Sequence, residues 1–367
     1  MSTSQTIPAL KTYQANFLLQ QYENLPQSRY VHILLCRETL SECVFRTEGT
    51  GEPLSREQVS LDGSAASTDR VVITKRKQVA VERRTGRELL RSLDLLRAKA
   101  VKDGDQVCLL NSNEPCERCI DCFLYGFAAG GGGAQRSRVL TEDSYSLLPA
   151  AEVIDTRTGN ATYDNGTMRH PLTGEPSQAL YESEYVRPGV SFLDIQTLKD
   201  VQAPELLYVL GNILRSSRYG ATGTRIGHIR NHVLAVAFSR HEVISNLEWT
   251  QATTRALQQH SVPLTHPLGS TAIIPAALTQ AQQLIEKHAI GPHFFVSGDA
   301  LDALIAEVKA AYDDPAAWLT PLASHFDQVA SQTEGKKKKA TKPKAQAKGK
   351  VKEIDFDSDS DGDNDEE

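Results

Sequence analysis

The sequence predicts an α+β fold in which a ferredoxin-like sheet carries two long insertions and is followed by a helical subdomain. Two observations predict it. Apolar runs and amphipathic stretches succeed one another as strand, helix, strand, strand, helix, strand, and beyond Phe238 the pattern is helical throughout. Tyr30 to Cys36 (Tyr-Val-His-Ile-Leu-Leu-Cys) reads as a buried first strand. After a polar stretch rich in Gly and Ser (Gly49 to Ser67), Val71 to Val81 reads as a hairpin with Lys75, Arg76 and Lys77 near its tip. Thr85 and Glu88 form a capping-box pair opening a helix with Leu89, Leu93, Leu96 and Ala100 on one face.

Gln106 to Leu110 is a short second strand, and Val139 to Leu148 resumes as strand. Pro204 lies in the first turn of a second helix, striped by Leu206, Leu210, Ile213 and Leu214. Thr224 to Phe238 returns as strand after the turn Tyr219 to Gly223. This RRM-like domain spans residues 1–245, with a cysteine-bearing insertion at 103–135 and a second insertion at 155–188. The second is too long and too rich in Gly, Pro and Asn for a connection in a compact domain. It predicts a functional projection or a disordered loop, with Met168, Arg169 and His170 at its tip. Helices at Asn246 to His260, Pro275 to Ile290, Ala300 to Tyr312 and Pro315 to Ala330 predict a helical subdomain over 246–333.

Residues 334–367 form a tail of changed composition. Nine lysines lie between Lys336 and Lys352 and nine acids between Glu353 and Glu367, with little that is apolar, so this segment is expected to be disordered. The charges from Lys336 onward cancel, and residues 1–335 keep the net charge of −6 of the whole chain. Global charge therefore gives no support for nucleic-acid binding, but local charge does. Arg70 to Lys102 carries eleven Lys and Arg against Glu82, Glu88 and Asp94, the footprint of a groove for a polyanion. Arg91, Arg97, Lys99 and Lys102 solvate a helix face, whereas Lys75, Arg76, Lys77, Arg83, Arg84 and Arg87 flank turns and are placed to reach phosphates. Arg136 and Arg138 after the run Gly130 to Gly133, and Arg225 after Gly220 and Gly223, add charge beside backbone amides that a phosphate can approach.

Cys108, Cys116, Cys119 and Cys122 read Cys-x7-Cys-x2-Cys-x2-Cys. Two-residue gaps let thiolates curl around one tetrahedral ion, so structural Zn²⁺ explains them better than a disulfide. Cys108 lies in a strand-like run, and His170 is the rival fourth ligand. Cys36 and Cys43 read as core or surface thiols, and His228 and His232 as packed or solvated. The N-terminus has neither a cationic start nor an apolar run, and no segment is long and apolar enough to span a bilayer, which predicts a soluble cytoplasmic protein. Neither glycine cluster has the ending or the strand–helix order of a nucleotide-binding loop. Catalytic elbows and metal-protease motifs are absent, which lowers an enzymatic reading without excluding a ribonuclease built on one His and a Lys.

The run Cys116-x2-Cys119-x2-Cys122-Phe-Leu-Tyr-Gly126, with Gly130-Gly-Gly-Gly-Ala-Gln-Arg136-Ser-Arg138, resembles the repeat-associated RNA-binding (RAMP) superfamily of CRISPR systems. Phe45-Arg46-Thr47-Glu48-Gly49, Arg187-Pro188-Gly189-Val-Ser-Phe192 and Tyr219-Gly-Ala-Thr-Gly-Thr-Arg225-Ile-Gly227 extend the likeness to the crRNA-binding backbone subunit of type I-D Cascade (interference) complexes, over roughly residues 28–240. The resemblance implies an RRM-like palm, a zinc-bearing insertion and a thumb at residues 155–188 whose tip near Met168 interrupts base stacking. It also implies a guide-backbone groove lined by Arg46, Arg136, Arg138 and the Lys75 to Arg87 region. Its implied partners are guide crRNA, target nucleic acid through pairing with the guide, further copies of the chain and other complex subunits. The expected function is a non-catalytic guide-binding subunit. The alternatives are a repeat-processing endoribonuclease of the same superfamily and a zinc-stabilised interaction protein that binds no RNA.

Overall fold

The computed structural model describes residues 8–46, 54–60, 67–96, 98–101, 104–110, 115–129, 133–222 and 225–340. Thr47 to Gly49, Gly130 to Gly132, the Arg225 side chain and the tail beyond Ala340 lie outside the described positions. The architecture is mixed α/β around an antiparallel sheet. Six elements set its frame: β1 (Tyr30–Thr39), α1 (Lys75–Ser92), β2 (Val139–Thr141), β3 (Ser191–Lys199), α2 (Ala203–Arg215) and β4 (Arg225–Ser239). β1 is central, pairing antiparallel with β3 on one side and β4 on the other, and β3 pairs antiparallel with β2. The strand order is therefore β4-β1-β3-β2. Arg218–Thr222 and Phe294–Val296 add to opposite ends of β4.

Both faces of the sheet are covered, which is why β1 reads as a continuous apolar run. Val31, Ile33 and Leu35 pack with Leu90 of α1 and with Leu206, Leu210 and Ile213 of α2. Leu34 and Cys36 face the other way, into a second core with Leu193, Ile195, Trp249, Ile273 and Ala277. The four C-terminal helices, Asn246–Gln259, Ser270–His288, Asp299–Ala311 and Ala316–Ala340, divide between these cores. The first pair joins the second core, and the last pair packs with α1 and α2 through Leu304, Val308, Leu319 and Phe326. This corrects the separate helical subdomain expected over 246–333. Each helix is amphipathic, and the sheet offered two faces to bury against. The last helix also runs to Ala340, into the Lys-rich stretch where the tail was expected to begin.

Three further expectations are corrected. No hairpin carries Lys75 to Lys77: the strand Thr68–Ile73 is followed by the helix N-cap Thr74, and α1 starts at Lys75 rather than Thr85 and ends at Ser92. Its buried stripe, Gln78, Glu82, Gly86 and Leu90, recurs every fourth residue but is mostly polar, so it gave no apolar period. The second core strand is Val139–Thr141, while Gly104–Val107 pairs with Ala98–Val101 instead, so the cysteine segment precedes that strand. The third is Ser191–Lys199, hidden in the sequence because Asp194 and Gln196 break its apolar run although both are fully buried.

Those polar groups surround one arginine. Arg37 on β1 is fully buried and donates to Asp194 at 2.7 and 2.9 Å, to Glu82 at 2.8 Å, to Asn231 at 2.8 Å and to the Tyr219 hydroxyl at 3.1 Å. Burial opposes its charge, but the two carboxylates outweigh that and push the guanidinium further up.

Elsewhere in β1, His32 is buried between the hydroxyls of Thr197 and Ser239, at 2.9 and 2.8 Å, and burial pulls it down from 6.5 to about 4. The fold accepts only the neutral ring, whereas the unfolded chain protonates near pH 6.5. The associated stability is complete above that pH and declines as pH falls toward 4. At pH 5 the loss is on the order of 2 kcal/mol. Denaturant melts of the native chain and of His32→Gln, compared from pH 7.5 to pH 5, should diverge by that amount. Parallel pH profiles would contradict the assignment.

Candidate nucleic-acid interface and metal centre

The cysteine insertion folds into a thiol cluster. Cys108 follows the strand Gly104–Val107, Cys116 and Cys119 lie on the next loop, and Cys122 sits in the first turn of the helix Ile120–Tyr125. Glu117 takes a left-handed conformation (φ 62°) that turns the chain back between the paired cysteines. The four Sγ atoms are buried and lie within 4.8 Å of one another. Cys108 and Cys116 approach Cys122 at 3.7 and 3.8 Å, which is the edge length of a tetrahedron with sulfurs about 2.3 Å from its centre. The Cys119 amide donates to the Cys116 sulfur at 3.3 Å, a bond that favours a thiolate there. Hydrogen bonds received from neighbouring thiols hold Cys108 far below the usual thiol range, whereas Cys119 and Cys122, which donate within the cluster, are pushed up. This donor set fits a metal ion. Cys108 completes it, whereas the His170 ring accepts from the Leu172 and Thr173 amides on the distant 155–188 projection.

The cluster is braced against α1. Asp121, fully buried, takes a bidentate bond from Arg83 at 2.8 and 2.8 Å and a bond from Arg87 at 2.5 Å. Arg87 also reaches the Cys108 sulfur at 3.8 Å and the Cys108 carbonyl, and Arg83 the Gly126 carbonyl at 3.1 Å. Arg138 is engaged likewise, by Glu205 in a bidentate pair and by the carbonyls of Phe123 and Asp200 at 3.1 and 2.8 Å. Arg83, Arg87 and Arg138, expected to face RNA, therefore serve as internal struts. Their carboxylate partners are buried and distant in sequence, so local charge could not reveal the pairing.

Three other cations of α1 do converge. Arg76, Lys77 and Arg84 line one side of a cleft of about 570 Å³, and Arg215, Arg218 and Gly220 line the other. Gly220 takes φ 67° and approaches the Val44 carbonyl so closely that a Cβ would lie 2.4 Å from it, so only glycine fits at this point of the cleft lining. Glu88 is the acid among the lining residues. Arg215 and Arg218 carry no motif and join Arg76 only because α2 ends and the next strand begins beside α1. Lys75, Arg46 and Arg136 are exposed but do not line this cleft, and the Lys75 amide donates to Asp143 at 2.8 Å.

The 155–188 insertion is an ordered projection. Ile154–Asn160 and Leu180–Val186 form an antiparallel ribbon, and residues 161–179 close its end. An Asn165 turn and an Arg169 bond to the Gly174 carbonyl at 3.0 Å shape the tip. Met168 is half-buried and Arg169 exposed, while Leu172, which no sequence pattern singled out, is 90% exposed at the end of the projection.

A family model described as Csc2 Crispr matches residues 17–320. No curated protein matches the chain. The crystal structure of Thermofilum pendens Csc2 superposes with a TM-score of 0.56 at 17% identity, covering 85% of this chain and 92% of that one. A chain of a CRISPR RNA-guided surveillance complex gives a TM-score of 0.43 at 10% identity, over 77% of this chain and 99% of that one.

Asp121→Asn should show that the arginines are struts. The substitution leaves the buried Arg87 and the half-buried Arg83 without their counter-charge and should cost about 3 kcal/mol of stability, measured by urea melts. A change below about 0.5 kcal/mol, the ordinary effect of a surface substitution, would contradict it.

Proposed function

Because the chain belongs to the Csc2 CRISPR family, we propose that it is a non-catalytic crRNA-binding backbone subunit of a type I-D interference complex. The observation that carries the reading is the basic cleft, in which Arg76, Lys77 and Arg84 on α1 meet Arg215 and Arg218 across a bare-backbone turn on a fold shared with Csc2. The order β4-β1-β3-β2, with helices after β1 and β3, supports the reading of an RRM-like palm. Both faces of this palm are covered, so bases cannot spread over the sheet as they do on RNA-recognition modules, and the guide backbone runs along the cleft instead.

A subunit that serves every guide has to contact phosphates and 2′-hydroxyls and leave sequence to base pairing. Five cations on fixed elements suit that task. The ribbon 155–188 acts as a thumb over the guide, with Leu172 beside Met168 and Arg169 as the apolar tip that interrupts base stacking. Copies stack head to tail along one guide and present it to target nucleic acid among other complex subunits. Cys108, Cys116, Cys119 and Cys122 hold structural Zn²⁺, whose chemistry there is to join four sulfurs and fix the insertion.

Co-expression with a repeat-spacer transcript tests the reading. Retention of a long RNA protected from nuclease at regular spacing is expected, and no retained RNA at low salt would sink it. Arg76→Glu with Arg84→Glu should weaken binding about tenfold or more and reduce the salt slope by about one unit per lost phosphate contact. Elemental analysis should find about one zinc ion per chain. Cys119→Ser should lose both the zinc and several degrees of melting temperature, and full stability without metal would refute the zinc assignment.

A further inference from the structure

The cleft has a second candidate occupant within the chain itself. From Glu353 to Asp365 a carboxylate stands at every second position (Asp355, Asp357, Asp359, Asp361 and Asp363 between them), and Glu366 and Glu367 follow. Alternate residues of an extended chain lie about 6.7 Å apart on one side. The segment can thus present an evenly spaced row of anions, the charge pattern of a nucleic-acid strand without its bases. Opposite it stands a cleft whose lining sets Arg76, Lys77, Arg84, Arg215 and Arg218 against Glu88.

Geometry permits the meeting. The last described helix ends at Ala340, and residues 341–367 follow it. Of these, residues 341–352 are the tether to the acidic run, and fully extended they reach about 40 Å. A body of this size has a radius of gyration of about 20 Å, so a cleft up to about twice that distance from the helix end is within range. The lysines between Lys336 and Lys352 are the rival partner for these acids. The cleft is favoured because its cations are already fixed on two helices and a strand, whereas pairing along the tail costs side-chain and backbone entropy on both sides.

We propose that Glu353 to Glu367 docks in this cleft as an internal mimic of the RNA backbone, so that RNA enters only by displacing it. The gating of RNA rests on the cleft being an RNA groove. The docking itself does not. A displaceable polyanion removes weak, short or stray RNA first and leaves a guide that engages many subunits little affected, because that guide gains from multivalency.

The test uses the full chain with its nine tail acids changed to Asn and Gln, and a labelled peptide of residues 353–367. Saturable, salt-sensitive binding of the peptide is expected, lost when Arg76→Glu and Arg84→Glu are added, and about tenfold weaker to the unaltered chain, whose own tail competes. No binding to the neutralised chain, or binding that survives the cleft substitutions, overturns the docking. In parallel, a single-stranded RNA oligonucleotide should bind the neutralised chain about tenfold more tightly than the native chain at low salt, the gap closing as salt is raised. Equal affinities overturn the gating. If neither chain holds RNA, the RNA reading of the cleft fails, and the peptide titration alone decides whether the tail docks.

Discussion

Arg37 sits where β1, α1, β3 and the strand beside the cleft meet, and one buried guanidinium ties them together. It faces two carboxylates, Glu82 and Asp194, so the site holds more negative than positive charge. Neutral donors share the excess: the Tyr219 hydroxyl and Gln196 donate to Glu82, and Ser144 and Asn246 to Asp194 at 2.9 and 3.0 Å. The guanidinium and both carboxylates are hydrogen-bonded on all sides, which makes the arrangement specific as well as strong, although the Gln196 side-chain oxygen is left without a partner among the described residues. Its placement also explains the cleft. Glu82 lies on α1 between Lys77 and Arg84, and Tyr219 follows Arg218, so the network forms the floor on which the surface cations stand.

The metal centre reinforces the same helix from another side. Arg83 and Arg87 pin α1 to Asp121, which neighbours Cys122 in sequence. Glu82, Arg83 and Arg84 thus point to three destinations: the sheet, the cysteine insertion and the cleft. A helix so constrained presents its cations in fixed positions, and the entropy of ordering them is met during folding rather than at binding.

Much of the sheet was legible in the sequence, because β1, α2 and β4 bury apolar residues at the period of their element. Tyr30, Pro204 and Phe238 fall where the reading placed them, within a few residues of the element ends. What failed was whatever buries polar groups. α1 turns Gln78 and Glu82 inward and β3 turns Asp194 and Gln196 inward, so the hydrophobic period vanishes where the Arg37 network forms. The candidate site shows the same division. The cysteine spacing identified its cluster because local geometry decides it. The eleven cations of the basic stretch could not be sorted into struts and cleft residues, since that depends on Asp121, Glu205 and Arg215, which only the fold brings near.

Arg215 depends on a late part of the chain. Its guanidinium lies over the Tyr312 ring at 5.5 Å, and that ring presses so closely on Gly211 that a Cβ there would lie 2.0 Å away. Tyr312 is made roughly 100 residues after Arg215, which at 5–20 residues per second is about 5–20 s of synthesis. During that interval α1 can already display its cations while the facing wall lacks its support. A nascent chain therefore offers half a groove, and the other half becomes firm only when the closing helices leave the ribosome.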